Sequence, residues 1–167
     1  MINQWKGAWG SFRWWKLVLM IYVCVIYGNS LTPAVISSTG SSFVLEQLKG
    51  LFEMVGWNSR WLTEHMVRKT AHFVEYAGLG ALLVLSFKTW IVSEESRLRT
   101  AWELAFLIPF VDETIQLFVP GRSGQVDDVW LDVCGAVLTL VIGTYLIRGL
   151  GKGGGKPLRK GSQVTGK

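Results

Sequence analysis

Ionisable side chains interrupt the apolar part of this chain, and their spacing places them on common helix faces. The first group lies in "RKTAHFVEYAGLG", which begins at Arg68. At 3.6 residues per helical turn, Arg68, His72 and Glu75 share one face of a helix, and Lys69 flanks that face. A histidine beside a carboxylate could transfer a proton, bind a phosphate or ligate a cation. This stretch therefore predicts one wall of a polar site.

The second and third groups flank a predicted turn in "DETIQLFVPGRSGQVDD". Pro120 cannot continue a helix and Gly121 can adopt a positive φ, so the turn is expected at these two residues. Two acids and an amide precede the turn, one arginine lies in it, and three aspartates follow it at helical spacing. The candidate residues of these two groups are Asp112, Glu113, Gln116, Arg122, Asp127, Asp128 and Asp132.

Apolar segments must position these groups, and the composition indicates a membrane protein. Half of the 167 residues are hydrophobic, nine are Trp, and the mean hydropathy is +0.32, which is not typical of a soluble domain. A helix of about 20 residues crosses roughly 30 Å of hydrocarbon. The candidate spans are residues 14–31, 71–92, 101–119 and 129–147. Buried helices of a soluble domain are the alternative.

The first candidate span could also be a cleaved signal sequence, because its uninterrupted apolar part is short. A long basic region precedes it and no A-x-A-like cleavage site follows it. We therefore expect the segment to be retained as a membrane helix.

The distribution of Lys and Arg predicts which ends of the spans face the cytoplasm. With the N-terminus inside, twelve of the 17 basic residues lie on the cytoplasmic side and five lie outside, as the positive-inside rule requires. Both termini and the 88–100 loop are therefore expected to be cytoplasmic. Residues 1–150 are expected to form the transmembrane domain. The net charge of +5 is concentrated at the ends, where residues 151–167 form a flexible basic tail that contacts anionic lipid headgroups rather than nucleic acid.

The outer segment between the first two spans contains an amphipathic pattern. In "FVLEQLKGLFEMVGW", charged residues oppose an apolar face made of Leu45, Leu48, Phe52 and Val55. The pattern predicts a helix that lies on the membrane surface or packs on the bundle. The predicted fold is thus all-α, an integral membrane helical bundle of about four transmembrane helices with a short outer amphipathic helix between the first two.

The three groups of polar residues are predicted to lie at one depth, near the outer side of the bundle. Glu75 and Asp112 each lie about 10 Å inside the outer end of a predicted span, at 1.5 Å of rise per residue. A charge that faced lipid at that depth would be strongly unfavourable. We therefore expect His72 and Glu75 to face the acids of the next span across the bundle interior, with Asp128 nearby.

These two motifs resemble those of the VanZ-like family of small bacterial membrane proteins, which is named for a protein linked to teicoplanin resistance. They read K-x-x-H-F-x-E-Y from Lys69 and D-E-x-x-Q-x-F-x-P-G-R-x(4)-D-x(4)-D-x-x-G from Asp112, and the resemblance covers residues 70–140. It implies a multi-pass protein of the bacterial plasma membrane, without implying a reaction. The family motif positions are Lys69, His72, Glu75, Asp112, Glu113, Gln116, Arg122, Asp127, Asp128 and Asp132.

The chemistry of these residues leaves three functions open. The site could bind the phosphate of a membrane lipid or a lipid-linked cell-wall precursor, through His72, Arg122 and Lys69. It could instead be an enzyme site for a lipid phosphate or glycan, which uses general acid and base catalysis or a divalent cation. The third function is an ion-pair network that only holds helices together. The catalytic candidates are His72, Glu75, Asp112, Glu113 and Asp128.

The excess of acid argues against a purely structural network. Arg68, Lys69 and Arg122 are three cations for six carboxylates, so some carboxylates must be protonated, hydrated or metal-bound. No G-x-S-x-G, P-loop or H-E-x-x-H pattern favours a known enzyme class. A divalent cation could bind, although one histidine with dispersed acids lacks a fixed ligand spacing. The binding or handling of a cell-envelope lipid is the favoured hypothesis, and the resemblance adds an expected link to glycopeptide resistance.

Overall fold

The computed structural model describes residues 4–87 and 93–152. These residues form five α-helices, with loops between them and no strand. The helices are α1 (Gln4–Ser30), α2 (Ala34–Met54), α3 (Glu64–Phe87), α4 (Glu94–Gln116) and α5 (Val126–Lys152). The prediction of an all-α fold is confirmed. Residues 88–92 of the predicted cytoplasmic loop and the predicted tail from residue 153 onward lie outside the described residues.

All four helices that correspond to predicted spans begin earlier than the apolar stretch, and for α3 and α4 the structure gives the reason. α3 begins at Glu64, well before the predicted span 71–92, and α4 begins at Glu94, inside the predicted 88–100 loop. Polar caps explain the difference. The Ser93 hydroxyl accepts a hydrogen bond from the Ser96 amide at 3.2 Å, and the Thr63 hydroxyl accepts one from the Met66 amide at 3.3 Å. A hydropathy pattern detects only the apolar part of such a helix.

The outer segment forms a longer helix than its amphipathic pattern indicated. That pattern began at Phe43, whereas α2 begins at Ala34. The first half of α2 contains "SSTGSS", whose small polar residues carry little hydrophobic periodicity. The chain bends by 103° between α1 and α2, and none of the α2 side chains is buried. α2 therefore lies beside the bundle, where it packs against α3.

The bundle is built around the contact between α3 and α5. A β-carbon at Gly135 would lie 2.5 Å from the carbonyl oxygen of Phe73, and one at Gly80 would collide with the carbonyl oxygen of Ala136. Small residues at these positions let the two backbones approach closely. The surrounding core contains Ile26, Tyr76, Leu79, Leu83, Ala101, Ala105, Ile108, Ala136 and Leu140, so α1 and α4 complete the bundle.

The predicted turn is present, but the helix before it ends earlier than expected. Gly121 has a φ of +76°, which confirms its predicted role. α4 ends at Gln116 rather than at Pro120, because the backbone tightens into turns in which each amide bonds to the carbonyl three residues before it. The bonds from Phe118 N to Ile115 O at 3.0 Å and from Arg122 N to Val119 O at 3.1 Å are of this type.

One helix among the described residues, α5, is long and apolar enough by itself to cross a membrane, over Val126–Gly149. Trp14–Ser30 and Ala34–Met54 meet the same criterion only as a pair, across the bend between them. Just 28% of the most apolar part of α5 is buried inside the protein. The rest of that apolar surface faces outward.

Replacement of Gly135 by Ala should destabilise the bundle, because the new methyl group would push α3 away from α5. We expect a loss of about 1–3 kcal/mol, the usual effect of overpacking. Thermal unfolding of the purified protein, followed by Trp fluorescence, measures the change. Gly149→Ala in the same helix is the matched control, because no atom lies within 4 Å of its added β-carbon. Equal melting temperatures for the two variants would contradict the proposed close contact.

Candidate functional site

The predicted site residues meet at one end of the bundle. They come from the N-terminal half of α3, the C-terminal end of α4, the following loop and the N-terminal end of α5. The C-terminal end of α1 also reaches this position, because Ser30 is buried next to Gln116, with 3.5 Å between the Ser30 hydroxyl and the Gln116 amide nitrogen. Four helices, rather than the three predicted, therefore surround the site.

Lys69 joins α3 to the first turn of α5. Its ammonium group lies 2.8 Å from Asp128 Oδ1 and 3.0 Å from Asp127 Oδ2. Hydrogen bonds to Asp128 and then to Asp127 raise the pKa of Lys69 above its usual range, so the side chain remains charged at neutral pH. The Asp127 side chain is 65% exposed, which places this group at the rim of the site.

The interior of the site contains His72, Asp112 and Asp132, from three different helices. His72 Nδ1 lies 3.8 Å from Asp132 Oδ2, which is too long for a hydrogen bond. One atom of each side chain that could ligate a metal lies within 4.8 Å of the corresponding atoms of the other two residues. Both aspartates are fully buried. This arrangement could hold a cation or exchange protons.

Gln116 organises the acids of α4. Its side-chain nitrogen donates to Glu113 Oε1 at 2.9 Å and to Asp112 Oδ2 at 3.3 Å. Glu113 Oε2 accepts from the backbone amide of Gln125 at 3.2 Å, which ties the loop after α4 to the site. Both oxygens of Glu113 therefore have donors, whereas Asp112 receives a donor on one oxygen.

Arg122 holds the loop to the end of α1. Its guanidinium group donates to the Thr32 carbonyl at 2.9 Å, to the Asn29 carbonyl at 3.1 Å and to Gln116 Oε1 at 3.3 Å. Burial and, to a smaller extent, the charge of Arg68 lower the pKa of Arg122, but a guanidinium group starts so far above neutrality that it stays charged. Arg122 thus brings a positive charge to the site without forming an ion pair with any described residue there.

Arg68 and Glu75 lie on the side of the site that faces α1 and α2. Arg68 donates to Ser38 Oγ at 2.9 Å and to Glu64 Oε1 at 2.8 Å. Glu75 accepts a hydrogen bond from Asn29 Nδ2 at 2.8 Å. The structure therefore turns Glu75 toward α1, although the sequence predicted that it would face the acids of α4.

Sequence reasoning missed the polar residues at the end of α1 and the acid that pairs with Arg68. Asn29, Ser30 and Thr32 lie in "YGNSLT", which was interpreted only as the end of an apolar span. Small polar residues there, at the same end of the bundle as the motif acids, were the available signal. Glu64 lies one helical turn before Arg68, which is ion-pair spacing, but it falls outside the predicted span.

The charges of the site are not balanced. Lys69 pairs with Asp127 and Asp128, and Arg68 pairs with Glu64. Within residues 14–86 and 93–149, no Lys or Arg forms an ion pair with the carboxylates of Glu75, Asp112, Glu113 or Asp132. An ion-pair network that only stabilised the fold would neutralise its acids.

Three neighbouring cavities open beside these residues. A cleft of about 100 Å³ is lined by Arg68, Lys69, His72, Glu113, Gln116, Arg122, Asp128 and Asp132, among others. A second cleft of about 310 Å³ lies between α1, α2 and α3 and shares Arg68, His72 and Arg122 with the first. An apolar groove of about 900 Å³ shares lining residues with the second cleft, and it is lined further by Tyr22, Val44, Leu48, Trp61, Leu62, Met66, Val67 and Val74. The polar site thus adjoins a long apolar surface.

Comparison with known proteins gives one result. The family model described as VanZ/LLP1 matches residues 14–148, so the chain belongs to the VanZ/LLP1 family. No curated protein and no solved structure matches the chain. The family is membrane-associated, in agreement with the apolar helix α5.

Arg122→Lys should loosen the end of α1, because one ammonium group cannot reproduce donors directed at Thr32, Asn29 and Gln116 together. Hydrogen bonds from a charged donor contribute about 1.5–3 kcal/mol each, so we expect a loss of at least about 1.5 kcal/mol. Hydrogen exchange should become faster in residues 28–34. Arg60→Lys, at an exposed position, is the control. Unchanged exchange in residues 28–34 would contradict the anchoring role of Arg122.

Proposed function

We propose that this member of the VanZ/LLP1 family is a multi-pass protein of the bacterial plasma membrane that binds a lipid through its phosphate group. The lipid is a membrane phospholipid or a lipid-linked cell-wall precursor at the outer surface. Through this binding, the protein alters the susceptibility of the cell to glycopeptide antibiotics of the teicoplanin type. Both termini are cytoplasmic, and the polar site opens outward.

Exposed apolar side chains support the multi-pass arrangement. They extend along helices other than α5, and a soluble monomer rarely exposes apolar surface on this scale. On α1, they include Leu17, Val18, Met20, Ile21 and Val25, and on α4 they include Trp102, Phe106, Leu107 and Phe110. Lipid would cover these surfaces, whereas the charged residues near the ends of the helices would meet water and headgroups.

The observation that carries the lipid proposal is the junction between the apolar groove and the second cleft. Six residues line both cavities, namely Asn29, Ser37, Gly40, Ser41, Ala71 and Glu75. A hydrocarbon chain in the groove would bring its phosphate to Arg68 and Arg122. Arginine suits phosphate because its planar donors can bind two oxygens together.

The size of the first cleft limits which part of the lipid it can hold. A cleft of about 100 Å³ is small, and a phosphate group with a few water molecules would occupy it. A sugar or peptide attached to the phosphate would extend beyond it. This constraint favours recognition of the phosphate and the hydrocarbon chain over recognition of a glycan.

The proposed topology predicts which introduced cysteines react from outside intact cells. In a chain without Cys24 and Cys134, Ser123→Cys lies in the outer loop and should be labelled by a membrane-impermeant maleimide. Ser162→Cys lies in the tail and should react only after the cells are permeabilised. Labelling of the tail in intact cells would contradict the proposed orientation.

The lipid proposal predicts that filling the groove removes the bound lipid. Gly40 lines the groove and no atom lies within 4 Å of an added β-carbon, so Gly40→Phe should fold and occupy the space of the hydrocarbon chain. We expect at least a tenfold loss of affinity, equivalent to about 1.4 kcal/mol. Gly50→Phe on the same helix is the matched control, since it has the same free space but does not line the groove.

The measurement is mass spectrometry of lipids retained after purification from nanodiscs that contain phosphatidylglycerol and an isoprenoid monophosphate in phosphatidylcholine. Enrichment of a phosphate lipid on the wild type and the control, with loss on Gly40→Phe, supports binding. Glycopeptide susceptibility at equal expression should change in the same order. Equal lipid retention by both variants would contradict the proposal, and a new lipid product would assign the site to an enzyme.

A further inference from the structure

Asp132 is a buried carboxylate that the surrounding protein does not satisfy. Its side chain is fully buried, and neither of its oxygens has a hydrogen-bond partner among the described residues. Among the described residues, the one basic side chain within 4.0 Å of this carboxylate is the imidazole of His72, whose Nδ1 lies 3.8 Å from Asp132 Oδ2. A buried carboxylate without donors is strongly unfavourable. Asp132 therefore requires a proton, a water molecule or a cation that the contacts of the described residues do not supply.

Three neighbours of Asp132 have the same deficiency. His72 Nδ1, Asp112 Oδ1 and the hydroxyl of Tyr76 are also buried and have no hydrogen-bond partner in the part of the chain that the structure describes. The Tyr76 hydroxyl has one proton to donate, and a proton on Asp132 could satisfy only one further acceptor atom. A single cation between His72, Asp112 and Asp132 would bind one acceptor atom of each residue at the same time, because each of these atoms can donate an electron pair.

We propose that His72, Asp112 and Asp132 bind one divalent transition-metal ion, such as Zn²⁺ or Mn²⁺. Candidate ligand atoms of the three residues already lie within 4.8 Å of one another. Metal bonds of about 2.0–2.2 Å place ligand atoms roughly 3–3.5 Å apart, so small side-chain rotations would close the site. One imidazole with two carboxylates suits ions between the hard alkaline-earth metals and the soft thiolate-binding metals.

The surroundings of the three residues are suited to a metal with an open coordination position. Gln116 donates to Asp112 Oδ2 at 3.3 Å and leaves Oδ1 free for the ion. Such outer hydrogen bonds orient metal ligands. His72 and Asp132 also line the first cleft, so a water or phosphate oxygen could reach the ion from outside.

Metal binding can be tested on the full chain in detergent, after lipid depletion and treatment with a chelator. Titration with Zn²⁺ and Mn²⁺ should load one ion per chain by elemental analysis and raise the melting temperature. Asp132→Asn and Asp112→Asn should each lower the affinity at least tenfold. Asp127→Asn should retain it, because Asp127 pairs with Lys69 at the exposed rim. Asn has nearly the same shape as Asp, and removal of an unpaired buried charge should not prevent folding.

Two outcomes would overturn this assignment. The first is an affinity for Zn²⁺ and Mn²⁺ that is unchanged in Asp132→Asn. If Asp132→Asn does not fold, His72→Gln is used in its place. The second is a wild-type protein that binds no metal while Asp132→Asn raises its melting temperature in chelator, as a protonated aspartate would predict. Because the titration contains no lipid, it is independent of the proposed function. Metal binding without lipid retention would overturn only the lipid proposal, and the reverse result would overturn only the metal site.

Discussion

The close approach of α3 and α5 is the contact on which the rest of the site depends. Gly135 lacks a β-carbon, so the backbone of α5 can pack against the Phe73 carbonyl of α3. His72 lies one residue before Phe73 on α3, and Asp132 lies three residues before Gly135 on α5. The two side chains are therefore on opposite sides of this contact. The same approach brings Lys69 to Asp128 at 2.8 Å. The apolar packing of two helices therefore sets the distance between charged groups that attract each other only weakly on their own.

The buried carboxylates of the site, which lack an ion pair with Lys or Arg in the described chain, lower the stability of the fold. α1, α4 and α5 enclose carboxylates that form no ion pair with a Lys or Arg of the described residues. Arg122 instead donates hydrogen bonds to the carbonyls of Thr32 and Asn29. Replacement of buried charges by apolar residues often stabilises a protein. Charges that persist where they are unfavourable indicate a role in binding or chemistry. The charge imbalance is thus better explained by a ligand than by a structural network.

The sequence predicted which residues meet, but not all of the surfaces that they form. Helical spacing and the depth of each acid within its apolar span placed Asp112, Asp132 and His72 together, because both properties depend on the local helix alone. The part played by Asn29 depends on where α1 ends relative to α4, which is set by tertiary packing. A metal site was hard to recognise for the same reason, since its three ligands come from three helices and have no short spacing between them. The early start of α2 was missed because small polar residues carry no periodic signal.

At this site, a bound metal ion would increase the affinity for a lipid phosphate, and a bound phosphate would increase the affinity for the metal ion. Phosphate is attracted by Arg68 and Arg122 but repelled by Asp112, Asp132 and Glu113, which lie within or beside the same clefts. A divalent ion on His72, Asp112 and Asp132 would cancel the charge of both aspartates and offer an open position to a phosphate oxygen. The apolar groove would supply most of the binding energy through the hydrocarbon chain. The carboxylates that oppose phosphate binding in the metal-free protein would then become the groups that make it favourable.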